Sequence, residues 1–122
     1  MKQNILDISG KKIVEIISDH IELETVQDAL DIMSDVYHLE ADHIILHEHH
    51  FSPDFFDLKT RLAGEILQKF ANYSMRLAVV GDFDNYQSKS LKAFIRECNR
   101  GNQIFFVPDT AAAIEKLQST FE

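Results

Sequence analysis

Three apolar runs in this chain show no polar alternation: Ile44-Ile45-Leu46, Leu77-Ala78-Val79-Val80 and Ile104-Phe105-Phe106-Val107. A strand with one wet face alternates apolar with polar residues. A strand that does not alternate is covered on both faces. Helices must supply that cover, and the segments between the runs have helical periodicity. From Thr25 onward, Val26, Ala29, Leu30, Met33, Val36 and Tyr37 form one stripe at helical spacing, with Asp28, Asp31 and Asp35 on the opposite face. After the break Ser52-Pro53-Asp54, an i, i+4 ladder runs through Leu58, Leu62, Ile66 and Phe70 and closes with an i, i+3 step to Tyr73. Leu91, Phe94, Ile95 and Cys98 mark a third helix that stops near Gly101. Asp109 or Thr110 caps a fourth, with Ile114, Leu117 and Phe121 inward.

The first 17 residues read as a hairpin. Asn4 to Ile8 is the weaker strand, Ser9-Gly10-Lys11-Lys12 the turn, and Ile13-Val14-Glu15-Ile16-Ile17 the stronger strand. Strands and helices then alternate, which implies right-handed crossovers in a mixed, mostly parallel α/β sheet with packed helices. Val14, Ile16, Ile44, Leu46, Leu77, Val79, Ile104 and Phe106 are expected in one sheet core.

At 122 residues, the chain makes one domain spanning 1–122, and 45% hydrophobic residues suffice for a core. Twenty acidic residues against 12 basic ones give a net charge of −8 and no basic stripe, which argues against nucleic-acid binding. No apolar run approaches the roughly 20 residues that cross a bilayer, and no signal-peptide core is present, so a cytoplasmic protein without a membrane partner is expected. The single Cys98 excludes an internal disulfide and fits a reducing compartment.

Ligands of such sheets bind at the carboxyl ends of the strands. There the sequence places His47-Glu48-His49-His50, Gly81-Asp82-Phe83-Asp84 and Pro108-Asp109-Thr110. His47, Glu48, His49, Asp57, Asp82 and Asp84 are therefore the candidate functional edge. If the strand continues to His49, His47 and His49 share a face and can share a divalent metal, with Asp54 or Asp57 as third ligand. The spacing lacks the helical pattern of His-Glu-x-x-His, so no metal and no cofactor are expected. Cys98 sits on an apolar stripe and reads as an inert thiol. No Gly-x-Ser-x-Gly elbow or phosphate-cradling glycine loop occurs, so no catalytic residue is assigned.

Phe55 and Phe56 follow Pro53 in a polar loop. Successive side chains of an extended segment diverge, so one ring is expected to be exposed and to anchor a two-fold homodimer. Arg61 and Glu65 are spaced to pair on the surface of the second helix.

The element order resembles the SpoIIAA-like fold of STAS domains and their SEC14-related relatives. Arg76-Leu-Ala-Val-Val-Gly-Asp82 is similar to a strand signature of the latter, and Gln103 to Val107 followed by Ala111 to Leu117 extends the likeness. More closely, Asp54 to Phe70, Val79 to Phe83 and Ser88 to Lys92 resemble a bacterial domain-of-unknown-function family over nearly the whole chain. The STAS likeness implies a phosphorylatable hydroxyl where a strand feeds a helix. The corresponding segment Asp57-Leu58-Lys59-Thr60 has no Ser and offers Thr60.

The expected role is a non-enzymatic binding or regulatory module with a protein or small-molecule partner. The competing expectation is a small metal- or acid/base-dependent enzyme using His47, Glu48, His49, Asp57 and Asp82. Convergence of those side chains favours the enzyme; their dispersal in solvent favours the module.

Overall fold

A computed structural model describes residues 2–121. The chain opens with β1 (Lys2–Ile8) and β2 (Lys11–Ile17), followed by α1 (Val26–His38) and β3 (His43–His47). Then come α2 (Leu62–Asn72), β4 (Arg76–Val80), α3 (Lys89–Arg100), β5 (Ile104–Val107) and α4 (Thr110–Gln118). The five strands lie in sequence order in one sheet; β1 is antiparallel to β2, and β2 through β5 are parallel. The α/β architecture expected from the alternation of periods is thus present.

Sequence order and right-handed crossovers together put α1, α2 and α3 on the same face. The core follows that division. Val14, Ile16, Ile44, Leu46, Leu77, Val79, Ile104 and Phe106 pack with Ala29, Met33, Ile66, Phe70, Leu91 and Ile95 from those three helices. The other face is smaller: Ile13, Ile45, Ala78, Phe105 and Val107 pack under Ala113 and Leu117 of α4. Both faces of the central strands are covered, which is why their sequences do not alternate.

Local chemistry fixes the ends of the elements. Ser9 and Gly10 form a two-residue turn with φ of 54° and 81°. Positive φ at both positions matches the right-handed twist of the flanking strands. Thr25 and Asp28 form a reciprocal capping box at the start of α1, and Ser88 and Asp109 cap α3 and α4. Gly101 ends α3 at φ −85°, so it caps from extended backbone and not from the left-handed region.

Three helical expectations need correction. The stripe of α1 is centred on Ala29, Ile32, Met33 and Val36, one position round from the expected one, so Tyr37 is 72% exposed. Tyr73 follows the last turn of α2 and is likewise exposed. The second helix also begins at Leu62, not Leu58. The Asp57 carboxylate accepts the Lys59 N–H, and the Thr60 hydroxyl donates to the carbonyls of Asp54 and Asp57. These bonds close Leu58–Thr60 as a separate one-turn helix, and the chain leaves it through Arg61 at φ 66°.

Arg61 is exposed, and among the described residues it forms no ion pair with Glu65. Its side chain contributes little, while its left-handed backbone disfavours any residue with a Cβ. Arg61→Gly is therefore expected to stabilise the fold by about 0.5–1 kcal/mol. Urea unfolding measures it; a destabilised variant would show that the Arg61 side chain has a role that its exposure hides.

Candidate functional site

The parallel strands deliver Ser18, His47, Gly81 and Pro108 to one edge of the sheet. β3 does not continue to His49. It ends at His47 and turns into a one-turn helix, Glu48–His50. His47 and His49 are thus not alternate residues of a strand, yet their rings remain 5.8 Å apart, and the turn brings in a third imidazole, His50.

His50 is fully buried. Its Nδ1 accepts the His47 backbone N–H at 2.9 Å, which fixes the proton on Nε2, and Nε2 donates to the Ser18 carbonyl at 3.0 Å. The His50 carbonyl accepts the amides of Glu22 and Leu23. One residue thereby clamps the segment after β2 onto the end of β3. His49 Nε2 reaches the same Ser18 carbonyl at 2.8 Å. Burial holds the His50 pKa below its ordinary value.

His47 points elsewhere. Its Nε2 lies 2.7 Å from Glu15 Oε2, and Glu15 is buried in β2 beside it. This carboxylate was not singled out in the sequence, although a Glu inside the apolar run Ile13–Ile17 is the signal that marks it. The carboxylate of Glu48 is engaged through both oxygens: Oε2 accepts the Tyr86 hydroxyl and Oε1 the Asp82 N–H at 3.1 Å. Burial, followed by the bond to Glu48, pushes the Tyr86 pKa up, so the phenol stays a donor. Nothing in the sequence around Tyr86 distinguishes it from an ordinary loop residue.

The Glu48–Asp82 contact depends on Gly81. A Cβ at that position would lie 2.6 Å from Glu48 Cβ and 2.9 Å from the Phe83 ring. Close approach, not a special backbone angle, is the reason for glycine. Gly81→Ala is expected to cost about 1–2 kcal/mol through this overlap. It should also move the Tyr86 ring resonances in an NMR spectrum; unchanged resonances would mean that Glu48 can step aside.

His47, Glu48, His49 and Tyr86 rim an open hollow of about 570 Å³ whose apolar wall is Phe51, Phe56 and Val80. Phe56 and Tyr86 stack at 5.2 Å, and Phe83 lies nearly parallel to Tyr86 at 6.4 Å. A second hollow of about 840 Å³ lies on the other side of Gly81, between Asp82, Asp84, Lys92 and Arg96.

The remaining candidates do not join this group. Asp57 is exposed and spends its carboxylate on the Lys59 amide. Asp82 is exposed and holds Asn85; Asp84 is exposed. Among the described residues, no three His, Cys, Asp or Glu side chains are placed to hold a metal ion. Phe55 and Phe56 correct the expectation of an exposed anchor. Ser52 caps a one-turn helix over Pro53–Phe56, so the two rings are not the divergent neighbours of an extended segment. Phe55 packs on Phe51 at 4.3 Å, and both Phe55 and Phe56 are buried in their own core. Cys98 is half-buried, and burial pushes its thiol up to about 11, which removes it from nucleophilic chemistry near neutral pH.

A second polar group, also unforeseen, sits at the opposite edge. His43, buried at the start of β3, bridges Asp42 at 2.7 Å and the Thr120 hydroxyl at 2.8 Å, with the Phe121 ring edge-on at 4.9 Å. It ties the C-terminal segment to the sheet.

A family model described as "Domain of unknown function (DUF4180)" matches residues 8–117. No curated protein and no solved structure matches the chain.

Proposed function

We propose a function on the premise that the chain belongs to the DUF4180 family, whose description names no activity: it is a non-enzymatic module that binds a small molecule at the carboxyl edge of its parallel strands. The carrying observation is the state of the hollow beside His47. Its Glu48 carboxylate is already satisfied by Tyr86 and the Asp82 amide, and Glu15 behind it is satisfied by His47. Such pairing builds a preformed polar rim over an apolar wall, which is the composition of a binding cleft. Among the described residues, no thiol, Ser, Thr or Lys lines the hollow. The complementary ligand has a flat apolar body to lie against Phe56 and Val80 and a neutral or cationic head, because the local carboxylates Glu15, Glu48 and Asp82 disfavour an anion. A reducing compartment suits the half-buried Cys98 thiol. The sequential strand order, with three helices on one face, supports the likeness to SpoIIAA-like regulatory modules.

The acid/base enzyme has one observation in its favour. Glu15 orients the His47 imidazole as a carboxylate orients a catalytic histidine. Against it, the exposed carboxylates of Asp57 and Asp82 hold the Lys59 amide and the Asn85 side chain and not the imidazole. A library of small neutral and cationic aromatic compounds, screened by amide chemical shifts, tests the binding reading. Binders should move the amides of His49, Gly81 and Asp82, and should weaken several-fold in Tyr86→Phe. A library that moves none of those amides would overturn it.

A further inference from the structure

We propose that the chain pairs with a second copy of itself along the outer edge of β1, antiparallel and two-fold, with Ile5 opposite the partner's Ile5. The two edges of the sheet differ. At the β5 edge, Asn99 of α3 covers the backbone: its Nδ2 donates to the Phe106 carbonyl at 3.1 Å and its Oδ1 accepts the Phe106 N–H at 2.7 Å. A side chain in the place of a neighbouring strand blocks addition there. Among the described residues, no hydrogen bond of any kind reaches the outer edge of β1.

The hairpin fixes which groups are free. Ile8 and Lys11 flank the two-residue turn and are partners in the register. In such a hairpin the flanking pair exchanges both its hydrogen bonds, and alternate pairs follow suit. Leu6, Asn4 and Lys2 therefore bond inward to Ile13, Glu15 and Ile17. Asp7, Ile5 and Gln3 turn their N–H and C=O groups outward.

A two-fold axis normal to the sheet keeps each face on its own side, so residues pair with others of the same parity. Centring the axis on Ile5 uses all three outward residues of each copy at once: Ile5 meets the partner's Ile5, and Gln3 meets the partner's Asp7. That arrangement is self-complementary in side chains as well as backbone. Ile5 is 46% exposed on an otherwise polar edge and would be covered by its counterpart. The Gln3 amide can donate to the partner's Asp7 carboxylate on each side of the axis. The product is a continuous ten-stranded sheet. A contact of one strand's length buries less than the roughly 1,200 Å² of a standard interface, so the expected association is micromolar or weaker.

Sedimentation equilibrium of the untagged full chain at high micromolar concentration should give a mass approaching two chains. Gln3→Glu places like charges opposite each other twice and should weaken association about tenfold. Adding Asp7→Lys to that variant should restore it, because each Glu then faces a Lys. Ile5→Pro removes an outward N–H and no ladder bond, so it should give a folded monomer. A wild-type mass of one chain overturns the proposal. So does a dimer that Gln3→Glu and Ile5→Pro leave intact, or a double variant that fails to recover.

Discussion

Val79→Asp is expected to leave a chain with no cooperative thermal transition. Val79 is fully buried in the third of four parallel strands, between Leu46 of β3 and Phe106 of β5, on the face beneath α1, α2 and α3. Its cross-strand neighbours Leu46 and Phe106 are apolar, and the buried side chains of that face are Ile, Leu, Val, Met, Phe and Ala, so a new carboxylate meets no cation there. An unpaired buried charge and the lost packing together cost about 4–5 kcal/mol or more. A domain of this size has only about 5–15 kcal/mol in hand. Val80→Asp is the matched control, one residue along the same strand. Val80 points to the opposite face, is half-buried, and borders the open hollow beside His47. Its carboxylate can reach water, so a cooperative melt should survive at lower temperature. A Val79→Asp protein that melts like the wild type would require a strand facing solvent where the structure buries it.

The contrast between those neighbouring valines shows what was legible in the sequence. Burial on both faces leaves a continuous apolar run, and each of the three interior runs named a strand correctly. The alternation of strands and helices made the parallel direction of the later strands legible, but not their order in the sheet, because right-handed crossovers also permit doubly wound orders. Side-chain periodicity said less about helix ends. Tyr37 lies on the expected stripe of α1 but is exposed, because the packing centre sits one residue away, at Ile32. The start of α2 depended on hydrogen bonds of Asp57 and Thr60 that no hydrophobic pattern encodes. The candidate site was half visible. His47, Glu48 and Gly81 sit at strand ends, which the topology rule locates. Their partners Glu15 and Tyr86 lie 32 and 38 positions away in sequence, and such pairs arise only from register. Phe55 and Phe56 misled because a Ser-Pro start can turn a loop into a helical turn and fold both rings inward.

The second large effect is expected at His50. Truncation to Ala empties a fully buried site, orphans the His47 N–H, and releases the segment after β2 from the end of β3. A cavity and an unpaired donor together cost about 3 kcal/mol. His50→Gln should recover part of this loss, since its amide can accept from the His47 N–H and donate to the Ser18 carbonyl. Equal losses in the Ala and Gln variants would mean that ring volume, and not the two hydrogen bonds, is what the site requires.

The same geometry sets the acid limit of the fold. Protonating His50 puts a hydrogen on Nδ1, where the His47 N–H already points, so the bond and the proton exclude each other. Burial lowers the His50 pKa first; the imidazoles of His49 and His47 add to the shift, and the Ser18 carbonyl and Glu22 oppose it. His43 is lowered as well, by burial against the pull of Asp42. In both cases the unfolded chain binds protons that the folded chain refuses. Their contribution to stability is therefore complete above the ordinary histidine value of about 6.5, and it is lost as pH falls from there through the depressed folded values. Each histidine can add up to about 1.4 kcal/mol per pH unit to that decline. Carboxylates titrating nearby contribute equally to wild type and to His50→Gln, so the difference between the two profiles isolates His50. Urea unfolding between neutral and mildly acidic pH should give the shallower slope for His50→Gln, with the remainder shared between His43 and those carboxylates. Parallel slopes would show that the folded protein accommodates a charged His50, which the bond from the His47 amide forbids.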